Sequence, residues 1–209
     1  MSEIGFLFDL DGTLINSLES VDRAWVATAK EAGVPLEELG RFHGIPALQV
    51  WRELLIGGTE EDAQYYTERV LGREIMDTES VVANPGAHEL LAELDERKIP
   101  WTIVTSGVKP LAIARTKAAG IRFPENSVTF DQVKQGKPFP EPYILGAQRI
   151  GLPTSMTWGV EDAPGGIRAA KDAGCTVASI ATTHKKSDLL EADHHLESLA
   201  DLLKIAGLN

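Results

Sequence analysis

Cysteine is almost absent from this 209-residue chain: Cys175 is the only one. No internal disulfide can form, and a reducing cytoplasm is the expected compartment. Long apolar runs are missing too. Nothing approaches the ~20 residues that a membrane-spanning helix needs, and no charged-then-apolar leader precedes the first apolar segment at Ile4. Neither membrane insertion nor export is expected. Basic clusters are also lacking. With 20 Lys and Arg against 31 Asp and Glu, the net charge is -11, so nucleic acid is not an expected partner. There is no internal repeat and no low-complexity stretch. A hydrophobic content of 43% with 24% charged residues describes an ordinary globular protein, and the length admits one large domain or a core with an insert.

Against that background, Phe6-Leu7-Phe8-Asp9-Leu10-Asp11-Gly12-Thr13-Leu14 is the most informative segment. A short apolar run stops abruptly in two carboxylates and a glycine. Residues two apart on a strand share a side, so Asp9 and Asp11 converge where the strand ends. Paired acids at the edge of an apolar core repel unless a cation lies between them. A hard divalent ion such as Mg2+ takes oxygen ligands and leaves coordination positions for a phosphate.

Residues 4–9 read as a buried strand, since a continuous apolar run is the pattern of a parallel sheet. Further strands are expected at 101–105, 156–160 and 176–180, with a helix over 110–119 and another ended by Gly174. Strands alternating with helices predict an α/β, doubly wound parallel sheet. Residues 17–84 break the alternation, with helical patterns at 18–31, 47–55 and 60–78 and no strand. They read as an inserted helical subdomain between core segments 1–16 and 85–209, with hinges at Asn16-Ser17 and Asn84-Pro85-Gly86.

Open α/β sheets bind ligands beyond the carboxyl ends of their strands. Asp9 and Asp11 close the first strand, Thr105-Ser106-Gly107 the second and Glu161-Asp162 the third, while Lys137 lies in the loop Gly136-Lys137-Pro138. Two acidic clusters, a hydroxyl-plus-glycine turn and a lysine thus fall on one rim.

Four segments in order, Asp9-Leu10-Asp11-Gly12-Thr13, Val104-Thr105-Ser106-Gly107, Lys137-Pro138 and Val160-Glu161-Asp162-Ala163-Pro164, resemble the haloacid dehalogenase superfamily of aspartate-nucleophile phosphatases. The insert is similar to that family's helical type-1 cap. Residues 133–138 and 161–167 look like its sugar-phosphatase branch. The resemblance implies a Rossmann-like core and an Mg2+-dependent phosphatase for a small phosphorylated sugar or polyol, acting as a monomer. It implies Asp9 as nucleophile and Asp11 as general acid and base. Thr105 with the amides of Ser106 and Gly107 would grip the phosphoryl oxygens, and Lys137 would balance their charge. The metal would be held by the Asp9 carboxylate, the Asp11 carbonyl and the Asp162 carboxylate, with Glu161 acting through water.

The departures are also informative. Asn16 stands where family members often have Asp. Where β-phosphoglucomutases of the same branch carry a cap histidine and arginine, this chain has Val21 and Pro46-Ala47. The sugar phosphomutase is therefore the second reading. Asp11 argues against a dehalogenase, and Thr13 is the residue usual in phosphatases. Residues 17–84 hold 13 acidic and 6 basic side chains, which suits a polyol better than a second phosphate. His43-Gly44 and Arg52 are the cap candidates for substrate contact. Trp25 and Trp51 read as cap core, Cys175 as a small buried hydrophobe, and His194 and His195 as members of a late structural strand.

Overall fold

A computed structural model describes residues 4–41 and 47–208. In chain order the elements are β1 (Gly5–Phe8), β2 (Ile15–Asn16), α1 (Leu18–Ala32), α2 (Ala47–Leu54), α3 (Glu60–Met76), β3 (Val82–Ala83), α4 (Ala87–Glu96), β4 (Trp101–Ile103), α5 (Lys109–Ala118), α6 (Glu141–Arg149), β5 (Thr157–Glu161), α7 (Pro164–Ala173), β6 (Thr176–Ile180), β7 (His194–Leu196) and α8 (Leu202–Ile205). They divide into two compact units, residues 1–16 with 82–209, and residues 17–81. Among the described residues, no helix is long and apolar enough to cross a membrane.

The first unit is the expected α/β core. Its five-stranded parallel sheet runs in the order β4-β1-β5-β6-β7. All four residues of β1 are buried, which explains its unbroken apolar sequence. Leu7 packs into a cluster with Val104, Tyr143, Ala147 and Ile167. On alternate positions, the Phe6 and Phe8 rings stack on each other 6.0 Å apart. From β1 the chain turns to β4 on one side, then returns past β1 to β5 on the other. That reversal opens a crevice between the carboxyl ends of β1 and β5.

The second unit begins at Ser17 and ends at Val81, three residues short of the expected 84. Val82 and Ala83 belong to the core unit because they pair antiparallel with Asn16 and Ile15. Asn84 adds to that tie, its Nδ2 donating to the carbonyls of Gly12 and Thr13 at 3.0 and 2.8 Å. Both chain crossings therefore run through one short two-stranded ribbon.

Inside the helical unit, α1, α2 and α3 bury a common apolar cluster that includes Val34, Val50, Trp51 and Val70. Trp51 is fully buried and stacks on Trp25, partly buried against the same cluster, with centroids 5.5 Å apart. Thr59 and Asp62 form a reciprocal capping box at the start of α3. Across the helices, the Glu31 carboxylate accepts from Arg69 Nε at 3.0 Å and from Arg73. Those hydrogen bonds lower its pKa from 4.5 to about 2. A depressed carboxylate contributes stability that is present above its ordinary value and lost as pH falls through the folded one. Glu31→Gln is thus expected to lower Tm at neutral pH, with the gap closing on acidification from 4.5 toward about 2. Thermal melts across that range check it; a gap that does not change with pH would contradict it.

Candidate active site

The groups expected on one rim do meet in the core unit, at the crevice between β1 and β5. Asp9 follows β1 directly, and its amide donates to the Val160 carbonyl at 3.0 Å. Glu161 ends β5 and Asp162 follows it. One carboxylate oxygen from each of Asp9, Glu161 and Asp162 lies within 4.8 Å of the others, and all three residues are buried. Lys137, 128 positions after Asp9, places Nζ 2.6 Å from Asp9 Oδ1 and 2.6 Å from Glu161 Oε1. Beneath it, Tyr143 Oη donates to the same Glu161 oxygen at 2.6 Å, and the Tyr143 ring centroid is 5.3 Å from Nζ.

Three carboxylates and one ammonium leave this pocket short of positive charge. Burial pushes Asp9 well above the usual carboxylate range, with Glu161 and Asp162 adding to the rise and Lys137 opposing it. Burial and then Glu161 raise Asp162 from 3.8 to about 7 against a hydrogen bond from Thr183. Burial works against the Lys137 charge, but Asp9 and Glu161 outweigh it and hold the ammonium above its ordinary value. Burial and the same two acids raise the Tyr143 phenol, which keeps it a hydrogen-bond donor. An all-oxygen donor set of excess negative charge is what a hard divalent cation requires, so the residues present fit such an ion.

The surrounding loops hold the carboxylates in place. Thr13 Oγ1 donates to Asp162 Oδ1 at 3.4 Å and Thr183 Oγ1 to Asp162 Oδ2. Thr183 also lies 2.9 Å from His184 Nδ1. Gly12 adopts φ +88, and a Cβ there would overlap the Asp162 carboxylate. A Cβ on Gly166, in the first turn of α7, would overlap the Glu161 carboxylate in the same way. These two positions require glycine because acids occupy the space.

The hydroxyl turn after β4 is anchored by Val104 N to Phe8 O at 2.7 Å and Thr105 N to Val128 O at 2.9 Å. Thr105 is buried, and its Oγ1 accepts the Gly107 amide at 3.0 Å. The Gly107 amide expected to meet a phosphate is therefore directed at Thr105 here, and Ser106 is exposed. Asp11 is partly exposed and ion-paired to Arg115 of α5, Nη1 to Oδ1 2.9 Å.

Among the cap candidates, His43 and Gly44 lie outside the described residues. Arg52 is exposed and held by Glu60, Nε to Oε2 2.8 Å. It is thus committed inside its own unit. His194 and His195 sit in β7, His194 stacked 5.0 Å from Trp158 and His195 Nδ1 2.7 Å from Ser179 Oγ, away from the carboxylates. Cys175 is buried with Sγ 3.2 Å from Thr157 Oγ1.

Sequence reasoning did not single out Arg115, Tyr143 or Thr183. Arg115 had a signal: it shares the apolar stripe of Leu111 and Ala112 on α5, where a charge needs a partner. Tyr143 and Thr183 had none, because a core tyrosine and a loop threonine are ordinary until folding sets them against Glu161 and Asp162.

A family model described as haloacid dehalogenase-like hydrolase matches residues 5–174. Hexitol phosphatase A of Escherichia coli (strain K12) is 44% identical over 199 residues, spanning 95% of this chain and 92% of its own length. The 2-deoxyglucose-6-phosphate phosphatase 1 of Saccharomyces cerevisiae is 32% identical over 206 residues, 89% of this chain and 83% of its own. A hydrolase from Pseudomonas syringae, known by its crystal structure, superposes with a TM-score of 0.83 at 28% identity over 98% of each chain.

Proposed function

Because the chain belongs to the haloacid dehalogenase-like hydrolase family, we propose that it is an Mg2+-dependent phosphomonoester hydrolase for small sugar or polyol phosphates. The observation that carries this reading is the buried constellation of Asp9, Lys137, Glu161 and Asp162, with Asp11 two residues beyond the nucleophile position.

In the mechanism, an Asp9 carboxylate oxygen attacks phosphorus and the ester oxygen leaves, giving an aspartyl-phosphate on Asp9. Asp11 hands its proton to the departing alcohol. It then takes a proton from the water that attacks the aspartyl-phosphate, which releases inorganic phosphate and restores Asp9. Lys137 contributes a fixed positive charge beside the transferring phosphoryl group, preorganised by Glu161 and Tyr143. Thr105 and the turn that follows it hold the phosphoryl oxygens. Asp9, Asp162 and the Asp11 carbonyl would hold Mg2+, with Glu161 acting through water because its Oε1 already serves Lys137 and Tyr143. When bound, the ion supplies charge neutralisation between carboxylates and phosphate.

Residues 17–81 in this reading are the cap that selects the alcohol. Their charge pattern disfavours a second phosphate. Arg23 is held by Asp77, Arg52 by Glu60, and Arg69 and Arg73 by Glu31, so these four guanidiniums are spent on the unit's own acids. A monophosphate whose alcohol portion is neutral and hydroxyl-bearing fits better than a bisphosphate. Hexitol and hexose phosphates are the first substrates to test, in view of the phosphatases of those names. The protein is read as a cytoplasmic monomer, with Cys175 as a reduced structural thiol. Released phosphate, measured across a panel of monophosphates, bisphosphates and nucleotides, tests the assignment. Preference for a nucleotide or bisphosphate would contradict it. Conversion of a hexose 1-phosphate to the 6-phosphate without free phosphate would favour the mutase.

The metal assignment has its own test. EDTA is expected to abolish turnover and Mg2+ to restore it. Asp162→Asn should raise the Mg2+ requirement at least ~10-fold. In EDTA the same variant should melt higher than the parent, because one of three crowded acids is gone. The rise in Tm that Mg2+ is expected to produce in the parent should be lost. Full activity in a metal-free preparation would contradict the account.

A further inference from the structure

Helix α5 carries two exposed lysines, Lys109 and Lys117, and one buried arginine, Arg115. A guanidinium among aliphatic neighbours is unfavourable unless an anion pairs with it. The anion is Asp11: Nη1 lies 2.9 Å from Oδ1, with the side chains 5% and 28% exposed. The helix begins at Lys109, immediately after the turn at residues 105–108, and its first amide is pinned by Asp131 Oδ1 at 2.9 Å. Arg115 therefore stands on a rigid element behind the phosphate turn and reaches the carboxylate that handles the proton.

We propose that Arg115 is a positioning residue for the reaction: its guanidinium donates to Asp11 Oδ1 and so orients the other oxygen, which carries the proton, so that transfer to the leaving alcohol starts from a fixed geometry. The inference rests on the reading of Asp11 as acid and base. A partly exposed aspartate on a turn has several rotamers open to it, and the planar guanidinium selects among them in a way that a lysine would not. Errors of about 1 Å in such a group cost ~10^2-fold in rate. In this scheme the metal takes the Asp11 carbonyl and not the carboxylate that Arg115 holds, so removal of Arg115 should spare the phosphoryl grip.

The test is the ratio of kcat/KM for an alkyl phosphate to that for p-nitrophenyl phosphate, whose leaving group needs no proton. Both are measured on one preparation, so that the folded fraction cancels. Two neutral variants, Arg115→Met and Arg115→Gln, are made so that either one that folds decides the matter. The expected result is a fall of ~10- to 100-fold in the ratio, carried by kcat of the alkyl phosphate with KM little changed. A ratio within about 2-fold of the parent in a folded variant would overturn the proposal. Asp11→Asn, measured alongside, separates two failures. If it too leaves the ratio unchanged, the acid–base assignment falls and the role of Arg115 with it. If it collapses the ratio and the Arg115 variants do not, only the role of Arg115 is wrong.

Discussion

Asp9→Asn is expected to lower phosphate release by at least ~10^3-fold, the scale on which nucleophile and acid–base contributions are measured. An amide oxygen is a poor nucleophile toward phosphorus, and the two acids clustered with Asp9 are already engaged. Glu161 is bound by Lys137 and Tyr143, and Asp162 by Thr13 and Thr183. The fold should survive, because Asn fills the same space beside Lys137 and removes one of three crowded acids. Initial-rate assays with circular dichroism on the same sample check both halves. A folded Asp9→Asn enzyme with near-parental turnover would remove Asp9 from the mechanism. Asp11→Asn should lose the same order of activity toward alkyl phosphates while keeping its response to Mg2+.

The second large effect concerns Lys137. Lys137→Met should cost ~10^2- to 10^3-fold in kcat, the range for deleting one preorganised electrostatic group. It should also destabilise the protein by about 3–5 kcal/mol, because removing one partner of a buried pair leaves the other charge uncompensated. That deficit has a sign with pH. Asp9 and Asp162 are both raised, the latter to about 7, and take up protons on acidification. Repulsion in the variant is then relieved. Losing Lys137 lifts Asp162 further in the variant, so, measured in EDTA, the stability gap should widen as pH rises above about 7 and narrow as pH falls toward it. A gap that grows on acidification would contradict the charge balance described for the cluster.

The sheet was legible because β1 is a continuous apolar run that stops at turn residues, the pattern of a strand covered on both faces. The ribbon of β2 and β3 was not. Its strands have two residues each, too few for any periodicity, and so no strand was expected at 82–83. The site was legible as residue types at strand ends, since Asp9, Thr105 and Glu161-Asp162 each interrupt an apolar segment. What holds those residues was less so. Tyr143 reads as core packing from any local window, and its bond to Glu161 spans 18 positions. Arg115 is the instructive middle case, a charge on an apolar stripe whose partner lies in the first motif and becomes visible only after folding. Arg52, expected as a substrate contact, is ion-paired with Glu60 in its own unit.

The most direct test of the central claim is mass spectrometry of Asp11→Asn enzyme, acid-quenched shortly after mixing with p-nitrophenyl phosphate. Transfer to Asp9 needs no proton from residue 11 with that leaving group, but the attacking water then lacks its base, so the intermediate should accumulate. The account predicts one phosphoryl group on the peptide containing Asp9, matched by a burst of p-nitrophenol and absent from the Asp9→Asn, Asp11→Asn double variant. A burst with Asp9 unmodified, or with the phosphoryl group on another residue, would contradict it.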